Sequence, residues 1–346
     1  MTADRVVELG HVVEAAAALD AAGRLGVLEQ LGQGPATAGD VARRCGTAPG
    51  TTALLLEALE ALGVLRRDAG DRYAVTAMAR WLGTLQAGWT RLDEVVRTGR
   101  PIVAADTAAG AAELYPEVVP FLARLFAPAV EQAAERLVPV DGEVLDVGAG
   151  AAPWSLALAA ADPAVRVTAL DLPDVLPVTG RAVSQAGLTD RFRLLPGDVF
   201  TADLPEAGYD LVLLANVCHL FDPGTNRALL RRLRRVLRPG GRLAIVDALP
   251  STDPDERRLL ASYALGLRLR TAAGTVYPLE SYSAWAAEAG FGPVGAVALS
   301  RTPPLALLTC TAPGARARTG AVSRGTARRP GGPAPGPARS PHPRSA

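Results

Sequence analysis

Val144-Leu-Asp-Val-Gly-Ala-Gly-Ala-Ala-Pro153 reads as a buried strand that runs into a glycine turn and then into a helix. Open α/β sheets bind their ligands at the carboxyl ends of the strands, so this turn marks a ligand site. Gly148 and Gly150 allow the backbone to approach closely, and a side chain at either position is expected to occupy ligand space. In the dinucleotide fingerprint G-x-G-x-x-G the last glycine would fall at Pro153. A pyrophosphate needs free amides and close helix packing there, so the proline argues against a nicotinamide dinucleotide. Asp146, just before the glycines, points instead to a ligand with a cationic amino-acid portion.

Downstream of this turn, strands and helices alternate. Strand candidates are Glu143 to Val147, Arg166 to Leu170, Phe192 to Leu195, Leu211 to Ala215, Arg242 to Val246, Val294 to Leu299 and Leu305 to Cys310, with helical segments that include Trp154 to Ala161 and Asn226 to Leu237. The pattern predicts a doubly wound, Rossmann-like α/β sheet of seven strands over residues 139–311. Asp171 ends the second strand, 25 residues after Asp146, where a carboxylate can accept both hydroxyls of a ribose. Asp198 ends the third and can accept from an adenine amino group, with Leu172, Val199 and Phe200 available to sandwich the ring. Any one of these acids alone could be a turn or cap residue, but acid, glycine turn, acid and acid at successive strand ends form an ordered set. The six arginines around Leu229, Leu230, Leu233, Val236 and Leu237 read as a solvated helix face.

Upstream, residues 1–100 are mostly helical. Val12, Ala15, Ala16, Leu19, Ala22 and Leu28 recur at helical spacing, Thr37 caps a helix to Cys45 with Asp40 three residues on, and another helix begins at Thr51 or Thr52 and stops at Gly63. Val64 to Arg67 and Arg72 to Val75 then form a small hairpin, which gives a winged helix. The helix that would read DNA carries Glu57 and Glu60 and no basic residue, and residues 1–100 hold 11 arginines against 12 acids. The phosphate-neutralising contribution to DNA binding is missing, so the winged helix is expected to serve dimerisation. An apolar surplus over residues 11–31 (Val12, Val13, Leu25, Val27, Leu28 and Leu31 among it) predicts a homodimer. Residues 101–138 connect the halves through a helix from about Glu117 to Leu137, kinked near Pro128, whose apolar face (Val118, Phe121, Leu122, Leu125, Phe126, Val130) either packs in the core or roofs a pocket. Residues 312–346 are rich in Pro, Gly, Ser and Arg and read as a disordered tail.

Composition narrows the chemistry. All 36 basic residues among 346 are arginine, which excludes lysine Schiff bases, the P-loop lysine and the kinase lysine. Cys45, Cys218 and Cys310 stand far apart, so no disulfide framework or structural zinc site is expected, and His11, His219 and His342 are too few for a histidine-rich metal site. The tail holds seven arginines and no acid, so the total of +1 leaves residues 1–311 at −6. Apolar runs fall far short of the roughly 20 residues of a membrane span, and Asp4 and Glu8 stand where a signal peptide would carry positive charge, so a cytoplasmic protein is expected.

Through LDVGAG, ALDLP, GDVF, NVCHLFD, LRPGGRLAIVD and the late AGF, residues 8–311 resemble the S-adenosylmethionine-dependent small-molecule O-methyltransferases with an N-terminal winged-helix dimerisation domain, of bacterial and plant type. The resemblance implies that Gly148 and Gly150 line the methionine and ribose portion of the donor, that Asp171 binds ribose and that Asp198 and Val199 flank adenine. It also implies that His219 is the catalytic base, assisted by Asp247, and that the acceptor is a small, aromatic natural-product hydroxyl. Two positions depart from the family pattern. Ala152 replaces the third glycine of G-x-G-x-G, and the glutamate that relatives place before the final helix falls at Val276, with Glu280 out of phase. The missing acid leaves C-methylation, or a non-methylating hydroxylase, decarboxylase or cyclase activity, as an alternative; a ligand-sensing winged-helix regulator is a third. For His219 itself, a loop-capping role with Asp222 as its partner is the competing assignment.

Overall fold

The computed structural model describes residues 3–76, 79, 88–140 and 142–314. The expected disordered tail lies almost wholly outside these residues, but its first residue does not: Ala312 is buried and its backbone exchanges hydrogen bonds with Gly240 and Gly241, which extends the sheet region past the expected boundary.

At the N-terminus α1 (Ala3–Arg24), α2 (Val27–Gly32), α3 (Ala38–Cys45) and α4 (Pro49–Ala61) pack with an antiparallel sheet of order β1-β3-β2, formed by Ala36–Thr37, Arg72–Val75 and Leu65–Arg67. Thr37 caps α3 as expected: its hydroxyl accepts the Asp40 amide at 3.2 Å and donates to the Asp40 carboxylate at 2.7 Å. Val27, Leu31, Val41, Leu56, Leu59 and Tyr73 close the core beneath them. The two-residue strand β1 was not anticipated, because two residues carry no periodicity.

Between the halves lie α5 (Leu92–Thr98), a strap over residues 101–107, α6 (Ala108–Leu125) and α7 (Ala127–Leu137). The connecting helix begins well before Glu117, because Thr107 caps it by accepting the Gly110 amide at 3.2 Å. The break falls at Phe126, with Pro128 in the first turn of α7, where a proline sacrifices no helical hydrogen bond.

The large sheet has the order β6-β5-β4-β7-β8-β10-β9, built from Phe192–Pro196, Arg166–Asp171, Glu143–Val147, Tyr209–Ala215, Leu237–Asp247, Pro304–Thr311 and Gly295–Arg301. The first five strands run parallel, and β10 is antiparallel to both neighbours. Helices α8 (Pro153–Ala161), α9 (Leu176–Gln185), α10 (Pro223–Val236), α11 (Pro254–Arg270) and α12 (Leu279–Glu288) cover it. The chain winds outward through β5 and β6 and then returns to place β7 beside β4, so the topological switch point opens between β4 and β7. Two cores result from strand alternation. Val144 shares one with Trp154 and Leu158, while Leu145 and Val147 share the other with Leu229, Leu233 and Trp285. Helix α10 starts three residues earlier than expected because Asp222 caps it and Pro223 opens it. Among the described residues no helix is long and apolar enough to cross a membrane.

Candidate active site

A cavity of about 280 Å³ opens at the carboxyl ends of the parallel strands, beneath α6. Gly148, Gly150, Asp171, Leu172, Asp198 and Val199 all line it. The turn after β4 holds Gly148 at φ 65°, Gly150 at 59° and Ala152 at 55°, so three alternate residues take the left-handed conformation that costs an L-residue roughly 1–2 kcal/mol. An added Cβ would meet Val217 at 3.1 Å from Gly148 and Val119 at 3.2 Å from Gly150. The glycines thus keep the turn tight against the flanking walls, and protein atoms, not ligand space alone, exclude side chains there.

Asp171, at the end of β5, is fixed through both oxygens. It accepts the Gly150 amide at 2.7 Å and the Leu172 amide at 2.7 Å. Burial raises its pKa, and those two amides oppose the shift. Asp198 accepts the Phe200 amide at 2.8 Å, and the Phe200 ring meets Phe221 edge-on at 5.3 Å to wall the apolar slot beside it. Arg232, read as part of a solvated face, instead donates to the carbonyls of Val199 and Ala202 and clamps the loop that carries Asp198.

Asp146 corrects the sequence reading. Strand alternation turns it onto the face covered by α8, where Ser155 donates to its carboxylate; it is buried and does not line the cavity. Burial, the largest cause, pushes its pKa up to about 7, and the nearby Asp171 adds to the shift. Two side chains missed in the sequence do line the cavity with a buried oxygen that has no hydrogen-bond partner among the described residues, Asp106 and Asn216. Asn216 sits at φ 58° immediately after β7, at the switch point itself.

His219 lies in a short turn after β7 and is 3% exposed. Its Nδ1 is 2.6 Å from Oδ1 of Asp247, the last residue of β8, and its backbone amide donates to Oδ2 at 3.1 Å. Asp222, the competing partner, is taken up by the cap of α10. Tyr282 donates to Asp247 Oδ2 at 3.0 Å from α12; burial and the Asp247 charge hold its pKa well above the ordinary phenol value, so it remains a donor. The Tyr263 hydroxyl lies 3.2 Å from His219 Nε2, with the rings edge-to-face. His219 and Asp247 do not line the cavity themselves; Val217, Leu220 and Phe221, which flank the histidine in sequence, do. Neither tyrosine was legible beforehand, since each reaches the pair from a remote helix. Among the described residues no cluster of side chains could hold a metal ion.

Comparison with known proteins agrees with this architecture. The O-methyltransferase domain family matches residues 124–292 and the O-methyltransferase dimerisation domain family matches residues 8–84. A 3-hydroxy-5-methyl-1-naphthoate 3-O-methyltransferase of Streptomyces sahachiroi is 30% identical over 303 residues, 81% of this chain and 86% of the relative. An L-tyrosine C(3)-methyltransferase of Streptomyces lavendulae is 33% identical over 169 residues, which span 47% of this chain and 46% of that protein. Human N-acetylserotonin methyltransferase, solved in complex with S-adenosylmethionine, shares the fold with a TM-score of 0.66 at 22% identity, over 90% of this chain and 98% of that one. A left-handed glycine turn, the Asp171 carboxylate at the end of β5 and the buried histidine–aspartate pair thus occur in a chain that belongs to the S-adenosylmethionine-dependent O-methyltransferases with an N-terminal dimerisation domain.

Proposed function

We propose that this enzyme methylates a hydroxyl on a small, largely apolar aromatic natural product, with His219 as general base and Asp247 as its orienting partner. When bound, S-adenosylmethionine supplies a methyl group already activated by its sulfonium. The glycine turn and Asp171 would hold the methionine and ribose portion, and Asp198 with Leu172, Val199 and Phe200 would hold adenine. This assignment is supported by the left-handed turn at Gly148 and Gly150 and by the unpartnered oxygen of Asn216 beside it. The protein's first task is alignment of acceptor oxygen and methyl carbon, which can contribute about 7–11 kcal/mol.

The observation that carries the base assignment is the 2.6 Å contact between His219 Nδ1 and Asp247. A carboxylate there favours the proton on Nδ1 and leaves the Nε2 lone pair free to accept one from a phenol, worth a factor of about 10² to 10⁴ in rate. The Tyr263 hydroxyl, 3.2 Å from Nε2, must give way to the acceptor or pass its proton on. The apolar wall that Ala108, Ala111, Tyr115, Leu122, Phe126 and Trp154 give the cavity suits a flat apolar ring. The dimerisation-domain match supports a homodimer, and the free thiols of Cys45, Cys218 and Cys310 fit a reducing, cytoplasmic setting.

The reading is tested by incubating the purified protein with methyl-labelled S-adenosylmethionine and a panel of phenols, then locating the label by NMR. A labelled methoxy group is the expected product. Label on carbon, or product formed with intact donor, overturns it.

A further inference from the structure

We propose that Asp106 is an ammonium-binding residue of this cavity, its carboxylate receiving an alkylammonium carried either by the aminoacyl end of S-adenosylmethionine or by an amine on the acceptor. This rests on the reading of the cavity as the site of donor and acceptor. Three carboxylates and no basic residue line the cavity among its described residues, so its field favours a cation. Two of the three are otherwise occupied: Asp171 has an amide on each oxygen, and Asp198 stands in the apolar slot of Val199 and Phe200. Asp146, on which the sequence placed the cationic group, is turned away and tied to Ser155. Asp106 remains. Its Oδ2 accepts the Ala272 amide at 2.9 Å, while its Oδ1 is buried with no partner among the described residues. Asp106 as a whole is half-buried, and its shielded Oδ1 is the atom that a bound cation would pair.

The position is built and not incidental. The strap carrying Asp106 is fastened to the end of α11 by Ile102 N–H to Leu269 O at 2.8 Å and Ala105 N–H to Arg270 O at 2.7 Å. The Thr107 hydroxyl closes it by donating to Ala104 O at 2.7 Å. The first turn of α6 lies so close that a Cβ on Gly110 would stand 2.2 Å from Ala104 O. The guanidiniums at that helix end are engaged elsewhere: Arg268 donates to Ala272 O, and Arg270 is stacked over the Tyr263 ring at 5.6 Å. Nothing of this kind was visible in the sequence, where Asp106 is a lone acid in a connecting stretch.

Asp106→Asn keeps an oxygen for the Ala272 amide and removes the charge, so the fold should survive; an unchanged melting temperature checks this. Calorimetry with S-adenosylhomocysteine, which bears the ammonium, and 5′-methylthioadenosine, which lacks it, reads the donor arm. Methyl-transfer kinetics on tyramine against 4-ethylphenol read the acceptor arm. If the ammonium is the donor's, the variant loses tenfold or more in affinity for S-adenosylhomocysteine and nothing for 5′-methylthioadenosine. If it is the acceptor's, donor binding is unchanged and the preference for tyramine over 4-ethylphenol falls tenfold or more. Equal effects on both members of each pair, or none on either pair, overturn the proposal. A wild-type enzyme that methylates no phenol, with Asp106→Asn still losing affinity for S-adenosylhomocysteine alone, would sink the O-methylation reading and leave this one standing.

Discussion

Asp247 accepts four hydrogen bonds on two oxygens: from the ring and the backbone of His219, from the Ala248 amide at 2.9 Å and from Tyr282. An amide in its place would present an NH₂ to one of those donors and release the imidazole from its tautomer, so Asp247→Asn is expected to lose about 10² to 10⁴ in turnover with donor affinity intact. His219→Ala should lose at least roughly a hundredfold under the same assay, and near-normal turnover in either variant would leave alignment as the whole of catalysis. Asp146 makes a prediction of different kind. Burial raises its pKa in the folded state from the ordinary 3.8 to about 7, so between these two values the folded protein holds a proton that the unfolded chain has released. Stability therefore falls as pH rises across that window, with a slope of up to about 1.4 kcal/mol per pH unit. Asp146→Asn, which can still accept from Ser155, should flatten the decline of the ligand-free melting temperature between pH 5 and 7; an unchanged slope would show that another group sets it. The residue type at position 146 was legible in the sequence and its role was not, because period-two alternation does not say which face of a two-sided core an acid will meet.

At the scale of elements, the turn from β4 into α8 combines three left-handed residues with two different side-chain solutions. Gly148→Ala adds both the left-handed penalty and a 3.1 Å contact with Val217, so a loss of about 1–2 kcal/mol in stability is expected, accompanied by weaker donor binding. Ala152→Gly removes the same backbone penalty but also a fully buried methyl, worth about 0.8 kcal/mol, so the two nearly cancel. Denaturant melts of the two variants should separate clearly; equal losses would mean that the turn is not held where these angles place it. Four of the five parallel strands were legible as short apolar runs that lead into an acid or a glycine, and β7 as the apolar run that leads into Asn216. What escaped reading was settled by contacts far apart in sequence. Helix α6 starts early because Thr107 caps it, the strap before it is pinned by the end of α11, Tyr263 lies 44 residues from His219 and Tyr282 lies 35 from Asp247.

At the scale of the whole molecule, α1 presents an apolar surface that no other described residue covers. Val6, Val7, Leu9, Val12 and Val13 of α1 are exposed, the last two at 61% and 68%, while Ala22, Val27 and Leu31 turn inward to the small N-terminal core. A helix whose outward side carries this many aliphatic groups is costly in water, and a second copy of the same helix is the partner that the dimerisation-domain match suggests. The acidic character of α4, with Glu57 and Glu60, gives the same winged shape little attraction for phosphate. The expected solution mass is therefore twice 35.8 kDa at micromolar concentration. Val12→Asp together with Val13→Asp would place two charges in that contact, where an unpaired buried carboxylate is strongly unfavourable. Sedimentation should then show a monomer, with the far-ultraviolet spectrum of the folded chain retained, because neither side chain packs in the described core. A double variant that remains dimeric would move the interface elsewhere, and a wild-type monomer would remove it.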